Sequence, residues 1–389
     1  MTIDEYLNEH NLTQELSKAL NACVKSKEQY PLVYISKYLV DQTPAEILEV
    51  RAGYLYDNHG LPTTYVDVRT HKGVFRGTSP TGYNTSIHEL QELRDDDPSA
   101  FHGKGVLRAV YFINERIAPL LIGKDPREQS EIDGLIRKLS KYSNVLYPLS
   151  VAVCKAGARE YGVSVEDHLR RNDLRNNQSD RNEKYILKYF SSSLFEVYLV
   201  SESLQMLAEI PVVKHFESPE EALVAMSEFS NVGIGINMNA SEFLTEDNHY
   251  MPNGEQKLSR EEMIDMYFNW TNEFHSLVFI EDPFDQDDVA AFNALKETLK
   301  DTQCFVLGTN IYASRAERVR PCADAIALKP SAAGTVTLAL ETAKRATENG
   351  LTVVVSGRTG DVTAETFETE FARGISAGYI RQNRMEKFN

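Results

Sequence analysis

Val278-Phe-Ile-Glu-Asp-Pro-Phe-Asp-Gln-Asp-Asp288 decides the fold. An apolar run stops abruptly at Glu-Asp-Pro, the pattern of a parallel strand buried on both faces, ended by proline and followed by an acidic loop. In a (β/α) barrel, strand ends of this kind line the mouth where chemistry is placed. Glu281 is the expected inward ligand, because a carboxylate at that mouth can hold a hard cation such as Mg²⁺. Asp282 should face the other way, since neighbours on a strand alternate, unless the chain leaves the strand there. Taken alone, the stretch also fits a solvated acidic loop after a core strand.

Its surroundings favour the barrel. Gly233-Ile-Gly-Ile-Asn-Met-Asn-Ala-Ser-Glu-Phe243 precedes it, and Val306-Leu-Gly-Thr-Asn-Ile311, Ala325-Ile-Ala-Leu-Lys329 and Val353-Val-Val-Ser-Gly-Arg-Thr-Gly360 follow, each an apolar run ending in polar residues. These strand ends resemble those of the enolases (phosphopyruvate hydratases). Asn58-His-Gly-Leu-Pro-Thr-Thr-Tyr-Val-Asp67, Gly73-Val-Phe-Arg76, Glu92-Leu-Arg-Asp95 and Gly103-Lys-Gly-Val-Leu-Arg-Ala-Val110 look like that family's N-terminal domain. The start of the chain resembles the extra segment on one longer class of enolases, and only residues 172–218 fit badly. The expected fold is therefore α/β and enolase-like. An N-terminal helical segment (1–43) comes first, then an α+β domain with a β-meander and helices (44–143), then an irregular or shortened (β/α) barrel (144–389).

Within those domains, residues 47–76 alternate apolar and polar around Gly60-Leu-Pro62 and read as the meander. Helices are expected over 87–139, a barrel helix over 194–207, and a solvated polar loop over 170–182. Arg171, Arg175 and Arg181 in that loop are interspersed with Asp173 and Asp180, which favours solvation over an anion site.

What the resemblance implies for chemistry is a set of losses. The family removes a proton α to a carboxylate and neutralises the resulting charge with two Mg²⁺ ions. Its three metal carboxylates correspond to Asn237, Glu281 and Thr309, so two of the three are neutral here. Thr81 stands at the mobile-loop position, in Thr81-Gly-Tyr-Asn-Thr-Ser86. Lys329 matches the family's base. An acidic partner is replaced, on the nearest match Glu183-Lys-Tyr-Ile186, by Lys184. Arg358 keeps a phosphate ligand, Thr359 follows it, and Arg381 matches a later lysine. No cofactor is expected, Mg²⁺ only if the site is rebuilt around Asp282 or other displaced carboxylates. Lys329 and Arg358 are expected either to neutralise Glu281 or, with Arg381, to bind a small anion.

Composition narrows the rest. The 389 residues suffice for two domains, and a formal charge of −16 without basic clusters argues against nucleic acid. Four dispersed cysteines suggest neither disulfides nor zinc. No signal-like start or 18-residue apolar run points to a membrane, so cytoplasmic residence is expected. Leu12, Leu16, Leu20 and Cys23 form one helical stripe, and Leu32, Ile35, Tyr38 and Leu39 form a second after Pro31. This helix pair resembles the dimerisation modules of the Dpy-30 and protein-kinase-A regulatory type found in ciliary proteins. It must pack on the body or on a protein partner. The compressed end Arg384-Met-Glu-Lys-Phe-Asn389 leaves the family's homodimer contact in question.

Three functions stay open: a catalytically inactive enolase relative serving as an assembly subunit, with a cytoskeletal or ciliary setting suggested by the helix pair; a working or altered enolase converting 2-phosphoglycerate to phosphoenolpyruvate; and a small-anion binding module.

Overall fold

The computed structural model describes all residues except 83–85, 173–183, 192–194, 204–206, 208–209, 211–215, 230–231, 253–255, 359, 361–365 and 383–389. Three helices open the chain, Ile3–Glu9, Leu12–Ser26 and Pro31–Asp41. Thr2 and Glu5 close a reciprocal capping box on the first, and Pro31 starts the third, where its missing N–H costs nothing. The second and third helices form a hairpin in which Ala19 and Cys23 are buried. Only one edge of the expected stripe is covered. Leu16 and Leu20, with Val24, remain exposed because they lie progressively further round the helix than Ala19 and Cys23.

The meander follows the sequence pattern: β1 (Glu49–Tyr56), β2 (Pro62–Thr70) and β3 (Gly73–Thr78) pair antiparallel. Val66 and Val68 of β2 are fully buried, in a core shared with the helix Ser143–Tyr161. That helix lies so close to β3 that a Cβ on Gly77 would meet the Pro148 carbonyl oxygen at 2.0 Å, so only glycine fits. The expected helical stretch 87–139 is split: residues 87–100 run without helix, and helices occupy Leu107–Phe112, Ala118–Leu121 and Gln129–Leu139.

The expected boundary at 143/144 falls at the start of the Ser143–Tyr161 helix, which serves both halves. Val145, Leu149 and Val153 face the meander core while Tyr147, Val151 and Cys154 face the barrel core. Among the described residues, the first barrel strand is β4 (Tyr185–Ser191). Asp133 fastens the two halves, its buried carboxylate accepting from the Thr337 N–H (3.0 Å), the Thr337 hydroxyl (2.6 Å) and Gln129 (3.0 Å).

The barrel closes with eight strands. After β4 come β5 (Glu196–Ser201), β6 (Gly233–Asn237), β7 (Leu277–Glu281), β8 (Phe305–Gly308), β9 (Ala325–Leu328), β10 (Thr352–Ser356) and β11 (Tyr379–Gln382), which returns to β4. Its irregularity is one reversed strand: β5 runs antiparallel to both neighbours. This corrects the helix expected over 194–207. Val197 and Leu199 face the outer core while Tyr198 and Val200 face the barrel interior, and a run apolar on both faces does not distinguish strand from helix by periodicity. Of the polar loop expected over 170–182, residues 170–172 belong to the helix Val165–Asn172 and 173–182 lie outside the described residues. Among the described residues no helix is long and apolar enough to cross a membrane.

Candidate functional site at the barrel mouth

Strand alternation delivers the first group. Phe279 packs in the barrel interior and Ile280 in the outer core, so Glu281 returns to the interior two residues on from Phe279, at the mouth. Its side chain is essentially fully buried. Register puts Asn237 beside it on β6 and Glu196 beside Asn237 on β5. Because β5 is reversed, its first residue, not its last, reaches this mouth.

Glu281 is held by the chain itself. The Arg381 guanidinium donates through Nη1 to Oε1 (3.0 Å) and through Nη2 to Oε2 (2.6 Å), the two-pronged geometry that matches a carboxylate best. The Thr309 hydroxyl also donates to Glu281. Arg381 stacks over the Tyr198 ring, 4.4 Å from its centroid. Burial would lower the Arg381 pKa, but the Glu281 charge outweighs it and holds the guanidinium firmly protonated.

The other expected metal positions are occupied in the same way. Asn237 donates to Glu196 Oε2 (3.2 Å), while its own oxygen accepts from the Asn239 N–H (2.9 Å). Asp282 does leave the strand, with φ +42, yet not toward a metal: its carboxylate accepts from the N–H groups of Thr309 (2.8 Å) and Asn310 (3.0 Å) and so pins the loop after β8. Burial, and then the charge of Glu281, push the Asp282 pKa up. Thr81 is buried and bridges to Gly360, and its hydroxyl has no hydrogen-bond partner among the described residues.

Lys329 and Arg358 do not neutralise Glu281, as one expectation had it. They meet a carboxylate from the N-terminal domain instead. Glu89 accepts from Lys329 Nζ (3.4 Å) and from Arg358 Nη2 (2.6 Å), and Arg358 Nη1 reaches Glu92 (3.2 Å). The proposed trio of anion-binding cations is thus divided, with Arg381 on Glu281 and the other two on Glu89. Thr359 lies outside the described residues.

Lys184 is not brought to the site. It precedes β4 at the far end of the barrel, its amine 6.0 Å from the centroid of the Tyr379 ring. The acidic group sequence reasoning missed is Glu196, in Phe195-Glu-Val-Tyr198. It accepts from Lys188 (2.6 Å), Ser191 (3.0 Å), Asn237 and the Tyr198 hydroxyl. Burial would raise its pKa, but the Lys188 charge, with these donors and Arg381, brings it down to about 2. The alternation of Glu196, Tyr198 and Val200 on one face was the available signal.

The fit of a Mg²⁺ ion can be tested on these contacts. Both oxygens of the one retained carboxylate are engaged by a guanidinium, and the amide beside it is turned to Glu196. Among the described residues no group of three or more His, Cys, Asp or Glu side chains could hold a metal ion. The residues present do not fit the ion.

Comparison with known proteins agrees with the fold. The family model of the enolase N-terminal domain matches residues 47–169, and that of the enolase C-terminal TIM barrel domain matches residues 216–389. Cytosolic enolase 3 of Arabidopsis thaliana is 30% identical over 98% of this chain and 92% of its own length. An enolase of Eimeria tenella is 27% identical over 88% of this chain and 94% of its own. With both domains matched in order and the similarity running nearly end to end, the chain belongs to the enolase family.

Proposed function

We propose that this chain is a non-catalytic member of the enolase family, retained as an assembly subunit that docks on a protein partner through its N-terminal helices. The observation that carries the reading is the Arg381 fork on Glu281. Enolase chemistry needs a dication beside a carboxylate intermediate, and here a fixed monocation sits on the only carboxylate left of the family's three. Lys329, at the family's base position, is spent on Glu89 rather than left facing a substrate. Purified full-length protein assayed with 2-phosphoglycerate and excess Mg²⁺ should show no turnover. A rate within about a hundredfold of ordinary enolases, which would place the barrier within about 3 kcal/mol of theirs, refutes the proposal.

The docking half of the reading is supported by Leu16, Leu20, Val24, Leu32 and Val33, all exposed on the two longer N-terminal helices. Apolar side chains lined along a short helical hairpin favour a covering partner. The resemblance of the hairpin to ciliary dimerisation modules makes a cytoskeletal or ciliary assembly the setting to examine. Co-purification and localisation of the full chain are compared with those of a chain lacking residues 1–41, and unchanged partners and position would end this half of the proposal.

A second reading, a working hydratase, is favoured by Glu196, which restores a carboxylate to the mouth opposite the side that carries Lys329. The same turnover assay decides between the two.

A further inference from the structure

Thr43-Pro44 stands at the joint between the N-terminal helices and the rest of the chain. The third helix, Pro31–Asp41, ends just before it, residues 44–48 carry no regular structure, and β1 begins at Glu49. Proline disfavours helical backbone in the residue before it, which stops the helix and leaves an extended step. The chain holds three serines or threonines followed by proline: Thr43-Pro44, Ser79-Pro80 and Ser218-Pro219. Ser79 and Pro80 are buried, and Pro219 is buried in the first turn of its helix. Of the three prolines only Pro44 is exposed, with exposed Asp41 and Gln42 just ahead of it. A step of this kind, on a short surface joint without regular structure, can be reached by an enzyme that reads the proline ring.

The Thr43 hydroxyl has a structural task that a modification would cancel. It donates to the Val40 carbonyl (2.6 Å), which the Thr43 N–H also reaches (3.1 Å), and so satisfies one of the carbonyls that a helix end leaves open. The charges around it are of both signs. The last turn of the helix holds no basic residue and ends in Asp41, whose carboxylate lies 3.9 Å from Arg159 of the helix Ser143–Tyr161, while Glu46 lies 3.1 Å from His71. Among the described residues, Asp41–Arg159 is the one ion pair that joins residues 1–43 to the body of the chain.

We propose that Thr43 is a phosphorylation site for a proline-directed serine/threonine kinase, and that the phosphate loosens the N-terminal helices from the body. The Thr43 hydroxyl oxygen attacks the terminal phosphorus of a nucleoside triphosphate, the bond to the leaving diphosphate breaks, and the hydroxyl proton passes to solvent. Phosphorylated Thr43 can no longer donate to Val40. Its charge of about −1.5 to −2 stands at the negative end of the helix macrodipole and beside Asp41, so phosphate and Asp41 compete for Arg159. The last turn of the helix is thereby destabilised, and Asp41 loses its hold on the body. Control of a partner by this step rests on the docking reading above, whereas the modification and the loosening are measured on the chain by itself.

The full chain is incubated with a proline-directed kinase and ATP, the phosphorylated residue is located by peptide mass spectrometry, and amide hydrogen exchange is compared before and after. Phosphate should enter at Thr43. Incorporation there should be lost in Thr43→Val, which removes the hydroxyl, and in Pro44→Ala, which keeps the hydroxyl and removes the proline. Exchange over residues 38–43 should quicken at least about fivefold, as expected for one lost hydrogen bond and an unfavourable charge at a helix end, while the helix Ser143–Tyr161 keeps its protection. A folded chain that takes phosphate at Ser79 or Ser218 instead, or nowhere, overturns the proposal. So does incorporation that survives Pro44→Ala, or phosphorylated Thr43 with exchange unchanged.

Discussion

Replacing Arg381 with methionine should destabilise the protein by about 4 kcal/mol. The figure follows from the contacts. The guanidinium makes two charge-assisted hydrogen bonds to Glu281, at 3.0 and 2.6 Å, each worth roughly 1.5–3 kcal/mol, and a stacking contact on Tyr198 worth about 1 kcal/mol. Methionine fills much of the volume but leaves Glu281 buried with the Thr309 hydroxyl as its remaining donor. Removing one partner of a buried pair typically costs about 3–5 kcal/mol. Removing both charges does not: Arg381→Met/Glu281→Leu should lie within about 1 kcal/mol of wild type, on either side. Urea unfolding of wild type, the two single variants and the double variant closes the cycle; since each single change should cost about 3–5 kcal/mol and the double about zero, the expected coupling is about 7 kcal/mol. An Arg381→Met protein within about 0.5 kcal/mol of wild type, or a cycle additive to that precision, would refute the account of Glu281 as a carboxylate that depends on Arg381. Saturable stabilisation of the wild type by Mg²⁺ would do so equally.

Two further outcomes follow from the same mouth. Asn237→Asp, Thr309→Asp and Arg381→Lys introduced together would return three carboxylates and withdraw the fork, and the melting midpoint should then rise saturably with Mg²⁺ while the wild type does not respond; an unresponsive triple variant would mean that the seat is lost for other reasons. Acid should remove the contribution of Glu89. Because its folded pKa lies below the ordinary 4.5, the unfolded chain binds more protons in that interval, so the contribution is fully present above about pH 4.5 and is lost as pH falls through the folded value. The stability deficit of Glu89→Gln relative to wild type should therefore shrink in acid, and an equal deficit at pH 7 and at the lowest pH of folding would contradict it.

The parts of this structure legible in the sequence were those set by local pattern. The strand end at Glu281, the meander around Gly60 and the position of Lys329 each follow from apolar runs and the polar residues that stop them. Partners were not legible. Glu281 had Lys329 and Arg358 as candidate cations, with Arg381 expected only beside an anion, and choosing among residues so far apart in sequence is a tertiary decision made by the strand order, which sets Arg381 on β11 against Glu281 and draws Lys329 and Arg358 to Glu89. Glu196 was hidden because β5 is apolar on both faces and so reads as helix. The stripe of Leu16 and Leu20 was legible as one face of a helix but its cover was not: the third helix covers only the edge that carries Ala19 and Cys23.

The arrangement also explains why single reversions should not recover a metal seat. Asn237 donates its amide N–H to Glu196 at 3.2 Å. Aspartate in its place cannot donate, and it would set two carboxylates side by side where Lys188, with a smaller contribution from Arg381, already lowers the Glu196 pKa. Like charges so placed would drive one of them to take up a proton rather than recruit a metal. Thr309 poses the same difficulty next to Glu281, whose one compensating guanidinium is already committed at both prongs. Lysine at position 381 cannot reproduce the fork, since an ammonium is a point charge, so that reversion alone weakens the hold on Glu281 without supplying the anions a divalent ion needs. Each step back is uphill until the others are made.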